Sequence, residues 1–143
     1  MSEQEFTVFL VDDDAGVLKA LSRLVRTGGY SVQTFSSSQE FLEQHDSAIP
    51  GCALLDISMP DLDGLQLQEM LRARGVERPI IFVSGKADIP VSAGAMRAGA
   101  VDFLTKPVDA TALFAAIERA VAQEAKLRQT HAQEEVGKVR PQG

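Results

Sequence analysis

The sequence predicts an α/β domain: a doubly wound, five-stranded parallel sheet covered by helices on both faces. Three observations carry this. Five short runs, residues 6–11, 31–35, 52–55, 79–83 and 101–104, are apolar at most positions, and strands buried on two sides read this way. Segments of helical period separate the runs. Parallel neighbours need long crossover connections, and each of these segments is long enough to supply one.

The first run, Phe6 to Val11, is read as the first strand. Asp14 then serves as N-cap of a helix whose Val17, Leu18, Leu21, Leu24 and Val25 share one face, and Gly28 and Gly29 stop it. The second run, 31–35, is the weakest. Ser37 with Glu40 three residues on reads as a capping box for a short helix through Phe41 and Leu42. After the third run, Leu65, Leu67, Met70 and Leu71 mark the third helix. Pro90 opens the fourth near its first turn, and Gly94 inside it costs about 1 kcal/mol relative to alanine, which predicts a frayed helix. Asp109 caps the fifth, with Leu113, Ile117 and Val121 on one face. Beyond Val121 the apolar spacing thins. Residues 122–135 are expected to continue the helix with solvent on most sides, and 137–143 to be a disordered tail. The expected organisation is a domain over 1–121 and a helical linker extension with that tail over 122–143.

The chain has 143 residues, 45% of them hydrophobic, which is enough for one core without disulfides or structural metal. Twenty acidic against fourteen basic side chains give a net charge of −6, which excludes a global electrostatic grip on nucleic acid or anionic lipid. No direct nucleic-acid binding by this chain is expected. The single cysteine, Cys52, has no partner for an intramolecular disulfide, and residues 6–11 are too short to be a signal or membrane-spanning segment. A cytoplasmic location, away from membranes, is the expectation. His45 and His131 stand in polar helical contexts and read as solvated.

Sheets of this class bind ligands at the carboxyl ends of their strands. There the first strand is followed by Asp12, Asp13 and Asp14, the third by Asp56, the fourth by Ser84 and the fifth by Lys106 and Pro107. Each is unremarkable alone: an acidic turn usually caps a helix, and a surface lysine is usually solvated. Together on one rim they point to a hard divalent cation, Mg²⁺, held by carboxylates, with a lysine and a hydroxyl completing a cradle for a phosphoryl group.

Residues 11–14 (Val-Asp-Asp-Asp), Leu55-Asp56-Ile57-Ser58-Met59-Pro60-Asp61-Leu62-Asp63-Gly64, Val83-Ser84-Gly85, and Gly99-Ala100-Val101-Asp102-Phe103-Leu104-Thr105-Lys106-Pro107 resemble the receiver domain of two-component response regulators. The resemblance covers about residues 6–121. Asp88-Ile89-Pro90 and the run from Gly99 to Phe103 look most like FixJ-type receivers, whose full-length members carry a DNA-binding domain. The resemblance implies the flavodoxin-like (βα)5 fold, Asp56 as phosphoacceptor, and Asp12, Asp13, Asp56 and the Ser58 backbone carbonyl as Mg²⁺ ligands. It implies Ser84 as the switch hydroxyl, Phe103 as the switch aromatic, Lys106 as the partner of the phosphoryl oxygens, and a cis Lys106–Pro107 bond. Ser58 and Lys86 would flank the water path that sets the phosphoryl lifetime. The implied partners are a sensor histidine kinase and, once phosphorylated, a second copy of the chain.

Other readings fit less well. A haloacid-dehalogenase-like phosphatase needs a second aspartate where Ser58 stands. A calcium loop around Asp61 and Asp63 has Met59 and Met70 where its first and twelfth ligands belong. A phosphate-binding loop at Ser84-Gly85-Lys86 lacks the upstream glycine and has Ala87 in place of a hydroxyl. Within the receiver reading, the chain is either the regulatory half of a DNA-binding regulator, which the polar extension favours, or a stand-alone receiver acting through protein binding. Both describe a signalling switch rather than a metabolic enzyme.

Overall fold

A computed structural model describes residues 6–85 and 89–139, with side chains over 6–85 and 93–130. In order come β1 (Thr7–Val11), α1 (Ala15–Thr27), β2 (Ser31–Phe35), α2 (Ser38–Gln44), β3 (Gly51–Asp56), α3 (Gly64–Ala73), β4 (Ile80–Ser84), α4 (Ile89–Arg97), β5 (Asp102–Thr105) and α5 (Ala110–Val139). All five strands are parallel, in the order β2-β1-β3-β4-β5.

Alternate residues of each central strand feed two separate cores. Val8, Leu10, Cys52, Leu54, Ile81 and Val83 pack with Leu21 and Val25 of α1 and Leu113 and Ile117 of α5. Phe9, Val11, Ala53, Leu55, Ile80 and Phe82 pack with Phe41 of α2, Leu67 and Leu71 of α3 and Ala95 of α4. This two-sided burial is why β1, β3 and β4 lack polar alternation. The weak second run is the sheet edge, where Gln33 and Thr34 are exposed.

Helix ends follow local chemistry. Asp14 Oδ1 accepts from the Gly16 and Val17 N–H groups at 2.9 and 3.2 Å, and α1 ends at Gly28, followed by Gly29 at φ 89°, a conformation side chains resist. Asp109 Oδ2 accepts from Ala112 N–H at the start of α5. The box expected at Ser37 and Glu40 is only half formed. Ser37 Oγ accepts from Glu40 N–H, but the Glu40 carboxylate accepts from the N–H and hydroxyl of Ser36, one residue earlier than the reciprocal bond requires. A complete box stands instead at α3, where Asp63 and Gln66 each accept from the other's backbone N–H.

Helix α5 differs from its sequence reading at its far end. It runs through Gly137 to Val139, into the stretch expected to be disordered, while 140–143 lie outside the described residues. Its contact with the domain also passes residue 121. Gln123, Glu124 and Leu127 are half-buried, and Arg128 pairs with Glu124 at 2.8 Å and donates to Ala48 O at 3.4 Å.

Candidate functional site

The strand order reverses at β1, between β2 and β3, and the crevice at the carboxyl ends of such strands is where this architecture places ligands. Asp12 follows β1 directly, its N–H held by Phe35 O at 3.1 Å. Its Oδ1 accepts from Asp14 N–H at 2.9 Å and its Oδ2 from Lys106 Nζ at 2.9 Å. Asp56, the last residue of β3, is 5% exposed; its Oδ1 accepts from Ser58 N–H at 3.1 Å, and its Oδ2 lies 3.6 Å from Lys106 Nζ. Asp13 is exposed on the same turn, and Asp12, Asp13 and Asp56 each place a carboxylate oxygen within 4.8 Å of the others. Asp14 is turned away as a helix cap.

Three carboxylates against one ammonium leave the site short of positive charge. Burial pushes the Asp56 carboxyl above its ordinary value, and the charges of Asp12 and Asp13 add to this, while the Ser58 N–H and Lys106 oppose it. Burial works against the Lys106 ammonium, but its hydrogen bond to Asp12 and the charges of Asp56 and Asp12 outweigh that and raise its pKa. An all-oxygen donor set with one exposed member leaves room for water, which fits a hard divalent cation.

Ser84 ends β4, buried, beside Thr105 in the register of β5. Phe103 lies in β5, half-buried, 6.2 Å from the Phe82 ring, and with Leu104, Lys106, Pro107 and Ala112 it lines a cavity of about 450 Å³. The Lys106–Pro107 bond is cis. Ser58 is exposed beside Asp56, and Lys86 lies outside the described residues.

One constellation escaped the sequence reading. His45, read as solvated, is half-buried at the end of α2, stacked on Phe41 at 4.3 Å and edge-on to Phe9 at 4.8 Å. Its Nε2 accepts from Arg78, whose side chain also donates to the carbonyls of Asp46, Ile49 and Gly51 and lies 4.6 Å over the Phe9 ring. Arg78 is 8% exposed and forms no ion pair among the described residues. The one signal in the sequence was the spacing of His45 four residues after Phe41, which puts both on one helix face. This cluster, with a cavity of about 340 Å³ beside Arg78, lies at the amino ends of the strands, away from the carboxylates.

A parallel α/β domain with an acidic, cation-ready pocket at its strand-order reversal is the class of molecule these features define. Residues 8–118 match the model of the response regulator receiver domain, and the chain belongs to that family. It is 46% identical over 121 residues to the response regulator protein TodT of Pseudomonas putida, covering 85% of this chain and 53% of TodT. It is 37% identical over 139 residues to the transcriptional regulatory protein FixJ of Azorhizobium caulinodans, covering 94% of this chain and 64% of FixJ. The solved structure of the response regulator StyR superposes with a TM-score of 0.86 at 40% identity, covering 92% of this chain and 66% of StyR. The chain thus spans between half and two thirds of the length of these relatives. Receiver domains are signalling switches of two-component systems, generally bind Mg²⁺ at an acidic pocket and are generally phosphorylated by sensor histidine kinases. Among the described residues no helix is long and apolar enough to cross a membrane.

Proposed function

We propose that this chain is the phosphoacceptor switch of a response regulator and that Asp56 is the residue phosphorylated. The observation that best supports this is the meeting of the Asp12, Asp13 and Asp56 carboxylates with Lys106 at the ends of three strands. The ionised Asp56 carboxylate attacks the phosphorus of a phosphohistidine on a sensor histidine kinase, or of a small acyl phosphate. An O–P bond to Asp56 forms, and the P–N or P–O bond of the donor breaks, releasing imidazole or carboxylate. Asp12, Asp13, Asp56 and the Ser58 carbonyl would hold Mg²⁺, which would supply positive charge to offset the phosphoryl oxygens. Lys106, already within reach of Asp12 and Asp56, donates to one of those oxygens.

The Ser84 hydroxyl donates to another phosphoryl oxygen, and Phe103 turns into the space this vacates, shifting the face of α4 and β5 between two packings. That face then pairs two phosphorylated copies. Hydrolysis returns Asp56 and inorganic phosphate when water attacks opposite the Asp56 oxygen. Ser58, small and exposed, leaves that path open, and Lys86→Ala is expected to shorten the phosphoryl lifetime. The output is transcriptional, through a DNA-binding module outside this chain, a reading supported by relatives named as transcriptional regulators and longer than this chain. A stand-alone receiver is the second reading, favoured if beryllofluoride leaves the chain monomeric in sedimentation.

Acetyl phosphate with Mg²⁺ is expected to add one phosphoryl group, seen by intact-mass spectrometry, and Asp56→Asn to abolish it. Phosphate retained on the Asn variant at the wild-type level would place the nucleophile elsewhere.

A further inference from the structure

The acidic pocket is assembled from two stretches distant in sequence, the turn after β1 and the loop of residues 57–63 between β3 and α3. Both are tied to one short segment, residues 35–39, where β2 gives way to α2. On one side, Phe35 O accepts the Asp12 N–H at 3.1 Å. On the other, Asp61 Oδ2 accepts the Gln39 N–H at 2.9 Å, and the hydroxyl of fully buried Ser38 donates to Leu62 O at 2.8 Å. The segment is itself braced, since Ser37 caps α2 and Glu40 returns to Ser36.

The loop is fixed at its start by Ile57 N–H on Val83 O and Ser58 N–H on Asp56 Oδ1. Its end is fixed by Gly64 N–H on Ile57 O and the box of Asp63 with Gln66. Between these points it relies on buried Met59 and on the two ties to α2.

We propose that Asp61 is a positioning residue for the metal pocket. By accepting from Gln39 it fastens the loop that carries Ser58 to the same segment that holds Asp12, so the two halves of the pocket keep one separation. This rests on the reading that the pocket holds Mg²⁺ with the Ser58 carbonyl among its ligands. A pocket whose halves are held apart at a fixed distance loses less freedom when the ion binds than one whose loop must first be ordered. Asp61 is exposed, so truncating it opens no cavity in the core.

The test compares wild type, Asp61→Ala and Asp61→Asn by calorimetric titration with Mg²⁺, with Asp13→Ala as the control for loss of the site. Asp61→Ala should bind Mg²⁺ several-fold more weakly, while Asp61→Asn, which keeps an acceptor oxygen but not the charge, should stay within about twofold of wild type. With acetyl phosphate, Asp61→Ala should need several-fold more Mg²⁺ to reach half its maximal phosphorylation rate, the maximal rate itself being unchanged. The proposal fails if Asp61→Ala binds Mg²⁺ like wild type. It fails if Asp61→Asn is as weak as Asp61→Ala, because charge alone would then explain the effect. It also fails if the maximal rate falls at an unchanged Mg²⁺ requirement. A wild type that neither binds Mg²⁺ nor accepts a phosphoryl group sinks the reading of the pocket itself, whereas one that does both beside an unchanged Asp61→Ala sinks the positioning role alone.

Discussion

The pairing of His45 with Arg78 gives the domain an acid-sensitive stability that His45→Gln should remove. Nε2 of His45 accepts Arg78 Nε at 3.1 Å and lies 2.8 Å from a second Arg78 nitrogen, so only the neutral ring, with its lone pair on Nε2, serves. Burial, and then the Arg78 charge, lowers the His45 pKa from 6.5 to about 4, with Asp46 opposing; Glu124 and Arg128 of α5 act on Arg78 from the other side. Between those two values the unfolded chain binds more protons than the folded one. Stability is therefore complete above about pH 7 and falls as pH drops through the window toward 4. The full loss is about 3 kcal/mol at ~1.4 kcal/mol per pH unit, and about 2 kcal/mol is lost by about pH 5. Glutamine keeps an acceptor near the Nε2 position and does not titrate. It also forfeits ring contacts with Phe9 and Phe41, but that cost is the same at every pH. Urea unfolding followed by far-UV circular dichroism at a series of pH values should show the two stability curves converging by about 2 kcal/mol between about pH 7 and pH 5. The carboxylates common to both proteins cancel in this comparison. Curves that stay parallel across the window would refute the assignment.

Two further outcomes test the acidic pocket. In Gly64→Ala the new Cβ meets Phe82 Cε1 at 2.9 Å, Ile57 Cα at 3.0 Å and Asp56 O at 3.1 Å. Because backbone cannot yield cheaply, a loss of about 1–3 kcal/mol in unfolding is expected, with slower phosphorylation as Asp56 shifts. In Lys106→Met, loss of the ammonium that shares Asp12 and Asp56 should strengthen Mg²⁺ binding in calorimetry while slowing phosphorylation by acetyl phosphate at least tenfold. Both quantities falling together would mean that Lys106 holds the pocket's shape rather than meeting the phosphoryl group.

The strands were legible because burial on both faces leaves an almost unbroken apolar signature, and the site because its residues stand at the ends of those runs. The observed strands lie within one residue of the expected ones. What the sequence concealed depends on contacts between distant segments. Arg78 meets the loop of residues 45–51, and Asp61 meets Gln39, through pairs with no local pattern. Glu40 satisfied the spacing of a capping box, yet its carboxylate found two donors on Ser36, a competition that spacing alone does not decide. The reach of α5 beyond Val121 was hidden because Gln123 and Glu124 are polar, and they are covered by the domain rather than by solvent.

The two ends of the sheet differ in how their buried charges are met, and the difference bears on where a signal can travel. At the amino ends, the Arg78 cation is buried without an ion pair among the described residues but has its N–H groups engaged by carbonyls and by His45, so that end is satisfied as it stands. At the carboxyl ends, acidic groups crowd together with too little positive charge, so a cation and a phosphoryl group change the local balance most. Helix α5 runs between the two, from Asp109 near Lys106 to Arg128 against Ala48. Its Leu113, Ala116, Ile117 and Ala120 are fully buried in the core, and packed cores resist small displacements. Phe103, by contrast, borders a cavity, and a Cβ added at Gly94 of α4 would meet nothing within 4 Å. Under the proposed reading, the rearrangement set off at Asp56 therefore spends itself on β5 and α4, which have room to repack, while the buried first turns of α5 stay seated.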